Sequence, residues 1–212
     1  MGQPTDNFGE DAVPDWSTQE FDELYASVGA DLDQVPWARL RPNPTLLEWL
    51  DAQDAGPGRR ALVVACGLGD DAEELARRGY EVTAFDLSET AIGWCRKRFP
   101  ESTVDYRVAD LLALPAAWAR GYDLVFELYT IQSLPLAARR EVVAALAAPV
   151  AAGGTLLVRC SGRGDDEPVG SRPWSVSRAD LASFAGEGLA EVSFTDDVTE
   201  SGRRFFAGVY RR

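Results

Sequence analysis

The chain has no histidine, and Lys97 is its only lysine. Those two absences exclude a Ser-His-Asp triad, a histidine-ligated metal, a Schiff-base lysine and the lysine-bearing phosphate loop of nucleoside triphosphatases. Cysteine is scarce as well. Cys66, Cys95 and Cys160 are odd in number and far apart, which fits neither a zinc site nor a disulfide framework, so no metal is expected. No apolar run approaches the roughly 18–20 residues needed to span a bilayer, and no membrane partner is expected. The segment from Met1 to Trp16 is polar and acidic, unlike a cleavable export signal, which predicts a cytoplasmic protein. Positive charge is short too: 21 Lys and Arg stand against 34 Asp and Glu, a formal net charge of −13. Such a surface repels polyanions, so no nucleic-acid partner is expected. Carboxylates, tyrosine, cysteine, arginine and simple positioning are the catalytic means that remain.

What is present suits one α/β domain. A chain of 212 residues, 46% of them apolar, is long enough to bury a sizeable core. Residues 1–15 lack periodicity and are expected to be a flexible tail. Residues 16–212 read as a single domain, with 16–58 a helical lid and 59–212 a Rossmann-like core. Phe21, Leu24, Tyr25 and Val28 recur at helical spacing. The run from Pro36 to Pro42 breaks that helix, and a second follows over about 45–52. Strands are predicted at 61–66, 81–86, 104–108, 122–128, 154–160, 190–195 and 203–210. Helices alternate with the first five, at about 70–78, 88–98 and 136–149, and another begins near Ser177. Alternation of this kind means βαβ units, a parallel sheet and helices on both faces.

Within the first βα unit, Ala61 to Cys66 is a buried strand that enters Gly67-Leu68-Gly69 and then a helix. Glycine lets backbone approach a ligand closely, and a helix N-terminus offers free N–H groups. The next strand ends on Asp86, placed for the two ribose hydroxyls of a nucleoside, while Ser88 is placed to cap the helix after it. This much fits a dinucleotide as well as S-adenosylmethionine. Asp71, just inside the turn, would crowd a pyrophosphate but suits a cationic ligand. After the third strand, Asp110 is placed for the adenine amino group and Leu111 for the face of the ring. A nicotinamide-dependent oxidoreductase would also need a Tyr-x-x-x-Lys pair or a histidine, and neither exists.

These stretches resemble the class I S-adenosylmethionine-dependent methyltransferases. Ala65-Cys66-Gly67-Leu68-Gly69 is similar to the first motif, Phe85-Asp86-Leu87-Ser88 to the second and Ala109-Asp110-Leu111 to the third. Tyr122 to Glu127 is similar to the fourth strand, whose end faces the transferred methyl group. The resemblance implies a doubly wound, mostly parallel, seven-stranded Rossmann-like sheet with an antiparallel C-terminal strand. It implies S-adenosylmethionine as cofactor, held by Ala65, Cys66, Gly67, Gly69, Asp86, Leu87, Ser88, Asp110 and Leu111. Val64-Ala65-Cys66-Gly67, Asp86 and the Trp37…Pro42…Pro44 segment together resemble the thiopurine methyltransferase-like branch, and the resemblance implies that Trp37 is a lid contact over the cofactor. Three positions depart from the pattern: Val63 where an acid is usual, Ala65 for the first glycine, and Leu128 where that branch carries arginine.

A sulfonium methyl is already activated, so alignment of a nucleophile is the main task, worth about 7–11 kcal/mol of barrier lowering. The expected acceptor is the sulfur, nitrogen or oxygen of a small molecule. Glu127 and Tyr129 are the candidates for contact with it, Glu127 alternatively binding the methionine ammonium or merely holding a neighbouring turn. Gln132, Ser161 and Arg163 are further candidates. Arg41 or Arg39 would pair with the methionine carboxylate. The 161–174 loop is expected to close over the acceptor with Trp174 as its apolar contact. A catalytically inactive nucleoside-binding protein and an NAD(P)-dependent oxidoreductase are the alternatives.

Overall fold

In strand β1 (Arg60–Val64), Ala61 and Val63 face one side of the sheet and Leu62 and Val64 the other, and all four are buried. Burial on both sides is the signature of a parallel strand covered by helices, and β1 pairs in parallel with both its neighbours. One neighbour is β2 (Glu81–Asp86), which pairs onward with β3 (Asp105–Val108). The other is β4 (Tyr122–Leu128), followed by β5 (Val150–Ser161). The computed structural model describes residues 18–212 apart from Ala30, Asp54 and Ala55, so the tail expected over 1–15 lies outside the described residues.

The sheet has seven strands in the order β3-β2-β1-β4-β5-β7-β6. The last strand, β7 (Arg204–Arg211), runs antiparallel between β5 and β6 (Ala190–Val198). This is the Rossmann-like doubly wound sheet with an antiparallel C-terminal strand. β5 begins four residues before its expected start: at Gly153, φ is +73°, so the glycine pair bends the strand without ending it.

Helices α3 (Asp70–Arg77) and α4 (Glu89–Arg98) cover the sheet face of Ala61, Val63 and Phe126, together with α2 (Pro44–Asp51). On the opposite face α5 (Arg139–Ala147) packs Val142, Val143 and Leu146 against Leu62, Val64 and Val158. A third, smaller cluster docks α1 (Thr18–Ser27) through Tyr25 onto Leu68 and Ala91. Full burial of a side chain of this size contributes roughly 2 kcal/mol. The topology reverses between β1 and β4, and in an open α/β sheet ligands bind outside the carboxyl ends of the strands at such a switch point. None of the described helices is long and apolar enough to cross a membrane.

Candidate active site

A cleft of about 830 Å³ opens at that switch point. Its floor is the turn leaving β1. Ala65 takes a left-handed φ of +47°, the conformation that explains a preference for glycine there, and Gly67 follows at +53°. A β-carbon on Gly67 would lie 3.1 Å from the hydroxyl of Tyr25 on α1 above it. Asp86, at the end of β2, is only 9% exposed and lines the cleft. One of its oxygens accepts from the Gly67 N–H (2.9 Å) and the other from the Ser88 N–H (3.0 Å). Burial raises its pKa against the lowering effect of those N–H groups. Asp71 accepts from the Asn43 N–H (2.6 Å) and is pushed up to about 7 by burial. With Asp70 and Asp110, four carboxylates line this half of the cleft. That environment favours a cation and repels a pyrophosphate.

The roof is built by α1 and the segment after it. The indole N–H of Trp37 donates to the Tyr25 hydroxyl (2.7 Å), and Phe21 meets the Trp37 ring edge-on at 5.4 Å. Asp22 ties the helix down by accepting from the Ser88 hydroxyl (2.5 Å) and the Thr90 N–H (3.1 Å). These donors hold its carboxyl below the ordinary carboxylate range.

At the β4 end the lining changes character. Leu128, Tyr129, Leu134 and Pro135 form one wall, and Arg172 and Pro173 close it from the loop after β5. Tyr129 takes a φ of +61°, and its N–H donates to the Arg159 carbonyl (2.8 Å). Gln132 is buried and bridges to Ser161: its amide donates to the hydroxyl (3.1 Å), and its carbonyl accepts from the Ser161 N–H.

Glu127, Gly69 and Ser88, all expected at the site, lie off the cleft. Glu127 is 0% exposed, and its Oε1 accepts from the N–H groups of Thr130 (2.6 Å) and Ile131 (2.9 Å). As the penultimate residue of β4 it faces the side opposite Phe126 and Leu128, under α5, so it braces the turn that carries Tyr129. Burial pushes its pKa up to about 7, against those two N–H groups and nearby Arg139. Gly69 faces inward: a β-carbon there would meet the Tyr106 hydroxyl at 2.5 Å. Tyr106 of β3 and Cys95 of α4 therefore leave no room for a side chain at this position. Ser88 caps α4, its hydroxyl accepting from the Ala91 N–H (3.0 Å).

Trp37, Arg41, Ala65, Cys66, Gly67, Asp86, Leu87, Asp110, Leu111 and Tyr129 do line the cleft. The Cys66 thiol is pushed well above its ordinary pKa by the neighbouring Cys95 thiol and by burial, which makes it a poor nucleophile. Ser161, Arg163 and Trp174 do not line the cleft. Arg163 instead ties up its own loop through the carbonyls of Gly164 and Glu167. Arg172, whose guanidinium lies 5.8 Å from the Trp174 ring, lines the cleft where Trp174 does not. Phe21, Tyr25 and Arg172 are lining residues that sequence patterns missed. The helical spacing of Phe21 and Tyr25 is a signal of burial, which says nothing of what they bury.

Residues 61–154 match the family model described as a methyltransferase domain. The ubiquinone biosynthesis O-methyltransferase of Hahella chejuensis is 35% identical over 117 residues, 54% of this chain and 48% of that protein. The chain spans about half the length of the curated relatives it matches. A structure solved for the conversion of a disulfide bond into a thioacetal group during echinomycin biosynthesis superimposes with a TM-score of 0.74. It is 23% identical, covering 92% of this chain and 93% of the other. The N-methyltransferase NodS from Bradyrhizobium japonicum, in complex with S-adenosyl-L-homocysteine, gives 0.68 at 20% identity over 90% of this chain and 99% of its own. These two likenesses concern the fold.

Proposed function

We propose that this methyltransferase-domain chain binds S-adenosylmethionine over the ends of β1, β2 and β3 and methylates a small molecule held at the end of β4. Asp86 carries the reading: a nearly buried carboxylate on the cleft floor, fixed by two backbone N–H groups, is built to meet a ribose. Asp110 and Leu111 would hold the adenine, Leu87 the ribose edge, and the backbone of Ala65, Cys66 and Gly67 the methionine portion. Trp37 and Arg41 would cover that portion from above, with Arg39 beside Asp71. When bound, the cofactor supplies an electrophilic methyl group whose bond to sulfur breaks toward sulfur as the acceptor's lone pair forms the new bond. The chain's own part is alignment and exclusion of water by the Tyr25–Trp37 roof, with Tyr129 against the acceptor.

Oxygen is one candidate for the acceptor atom, since the matching relatives are named O-methyltransferases. Sulfur is the other, through the resemblance of the 37–44 segment to the thiopurine-type branch. The reading includes a cytoplasmic location, and the charge of −13 supports a partner other than nucleic acid.

Titration calorimetry with S-adenosylhomocysteine tests it. We expect micromolar binding that weakens about 100-fold in Asp86→Ala, the loss of charge-assisted hydrogen bonds worth about 3 kcal/mol. NADH should leave the protein's fluorescence unchanged. Absence of S-adenosylhomocysteine binding to the wild-type protein would overturn the reading.

A further inference from the structure

We infer that the molecule to be methylated carries an uncharged oxygen with a free lone pair, of the ketone or ether kind, and that Gln132 is the residue that reads it. The inference rests on the methyltransferase reading and concerns the half of the cleft that the cofactor leaves open. Gln132 lies in the turn after β4, is only 2% exposed and yet lines the cleft. Its backbone is pinned from the loop after β5, where the Trp174 N–H donates to its carbonyl (2.8 Å). Its side chain is clamped to Ser161 by two bonds. The amide oxygen accepts from the Ser161 N–H, and Nε2 donates to the Ser161 hydroxyl (3.1 Å). A backbone N–H can only donate, so the first bond settles which end of the amide is oxygen and which is nitrogen.

The clamp spends one of the two N–H groups on Nε2. Both side-chain bonds go to one residue, so the planar amide holds the second N–H on the side away from Ser161. Among the described residues no hydrogen-bond acceptor takes it. A buried donor left without a partner is costly, and a clamped one can bond a ligand with little further loss of side-chain freedom. A polar group held rigidly by a neighbour and left with one unspent donor is the construction of a recognition site. The donor is neutral, so an oxygen lone pair satisfies it without bringing a charge into the cleft. Leu128, Leu134 and Pro135 give this end of the cleft apolar walls, which favour an apolar frame around that oxygen. A site built in this way rejects the analogue that lacks the oxygen, because the amide is then covered and unpaired.

Acetophenone and α-methylstyrene test this, because they share a shape and differ in a C=O for a C=CH₂, the hydrocarbon being the more apolar of the two. Each is titrated into the preformed complex of the full, isotope-labelled chain with S-adenosylhomocysteine, and the Gln132 side-chain N–H resonances are followed. We expect the ketone to bind at least about tenfold more tightly, about 1.4 kcal/mol. Its binding should move one Gln132 N–H resonance downfield and leave the other, held by Ser161, nearly in place. Gln132→Leu should erase the preference, with S-adenosylhomocysteine affinity at the wild-type value. The inference is overturned by equal or tighter binding of the hydrocarbon, by no binding of either probe, or by a preference that survives Gln132→Leu. A bound ketone that leaves both N–H resonances where they were overturns it as well, and that readout needs only the wild-type protein. Failure of the methyltransferase reading is seen separately, as absence of S-adenosylhomocysteine binding before any probe is added.

Discussion

Two turns meet at the cleft, one leaving β1 and one leaving β4, and they solve the same geometric problem with opposite chemistry. Each begins on a residue other than glycine in the left-handed region, Ala65 at +47° and Tyr129 at +61°. Each is steadied by a carboxylate that accepts backbone N–H groups, Asp86 for the first and Glu127 for the second. Asp86 lines the cleft, whereas Glu127 is wholly enclosed behind it. Beside the β1 turn the cleft is lined by acids from the ends of three successive strands. Beside the β4 turn the lining mixes apolar side chains with neutral polar ones, receives an arginine from a distant loop and, among the described residues, carries no acid. The difference separates a half suited to a cationic ligand from a half with no acid to attract one.

The largest effect should come from breaking the packing under the β1 turn. Gly69→Val places a β-branched side chain at φ +89° and drives its β-carbon into the Tyr106 hydroxyl. The backbone strain and overpacking together should cost about 3–5 kcal/mol of unfolding free energy, measured by urea denaturation. A loss below about 1 kcal/mol would show that this turn is far softer than its close contacts imply.

On the β4 side the corresponding probe is pH. Folded Glu127 holds its proton to about 7, whereas an unfolded carboxyl releases it near 4.5. Between those values the unfolded chain binds fewer protons, so stability falls as pH rises through the window. Glu127→Gln keeps an acceptor for the Thr130 and Ile131 N–H groups and has no charge to bury. It should match the wild type near pH 5 and exceed it by about 3 kcal/mol above the folded pKa. Parallel denaturation curves across that range check this, and an unchanged pH slope in the variant would remove Glu127 as its source.

The two turns also differ in how much of them could be read from sequence. Gly67, Asp86, Asp110 and Leu111 sit at the ends of three successive strands, so local strand-turn-helix pattern alone places them together. The sheet followed for the same reason, because each βαβ unit declares its own period. Glu127 is the case that sequence leaves open, between contact with the acceptor, the methionine ammonium and a hold on its own turn. Its place at the end of β4 is legible, but the side of the strand it faces depends on the pleat, and a shift of one residue reverses it. Arg172 and Phe21 lie more than a hundred residues apart and meet only because α1 folds over the cleft while the loop after β5 approaches from the other side. No periodicity within either segment encodes that encounter. Gly69 looked like a ligand glycine because its spacing fits one, while its constraint comes from Tyr106 on β3.

A smaller effect separates the two carboxylates that are raised to about 7. Asp71 lines the cleft and Glu127 does not, so of these two Asp71 should respond to a cationic ligand. S-adenosylmethionine brings a sulfonium and an ammonium, which favour the ionised form of a carboxyl poised at about 7. Binding near neutral pH should therefore release a fraction of a proton. Calorimetry in two buffers of different ionisation enthalpy measures it. The release should vanish in Asp71→Asn and persist in Glu127→Gln; the reverse pattern would place the cationic end of the ligand at the wrong turn.

The smallest expected change compares the two left-handed residues directly. Ala65→Gly relieves about 1–2 kcal/mol of backbone strain and returns roughly 0.5–1 kcal/mol of it as extra chain entropy in the unfolded state. A net gain of about 0.5–1 kcal/mol in stability follows, with S-adenosylhomocysteine affinity little altered because the backbone course stays the same. Tyr129→Gly relieves the same strain but deletes a ring that packs 6.1 Å from Phe205 and forms part of the cleft wall. Its net effect should be a loss of stability, since burial of an aromatic side chain outweighs the relief. If both glycine variants gained stability alike, Tyr129 would be as replaceable as Ala65. The β4 turn would then owe its shape to Glu127 and Gln132 alone.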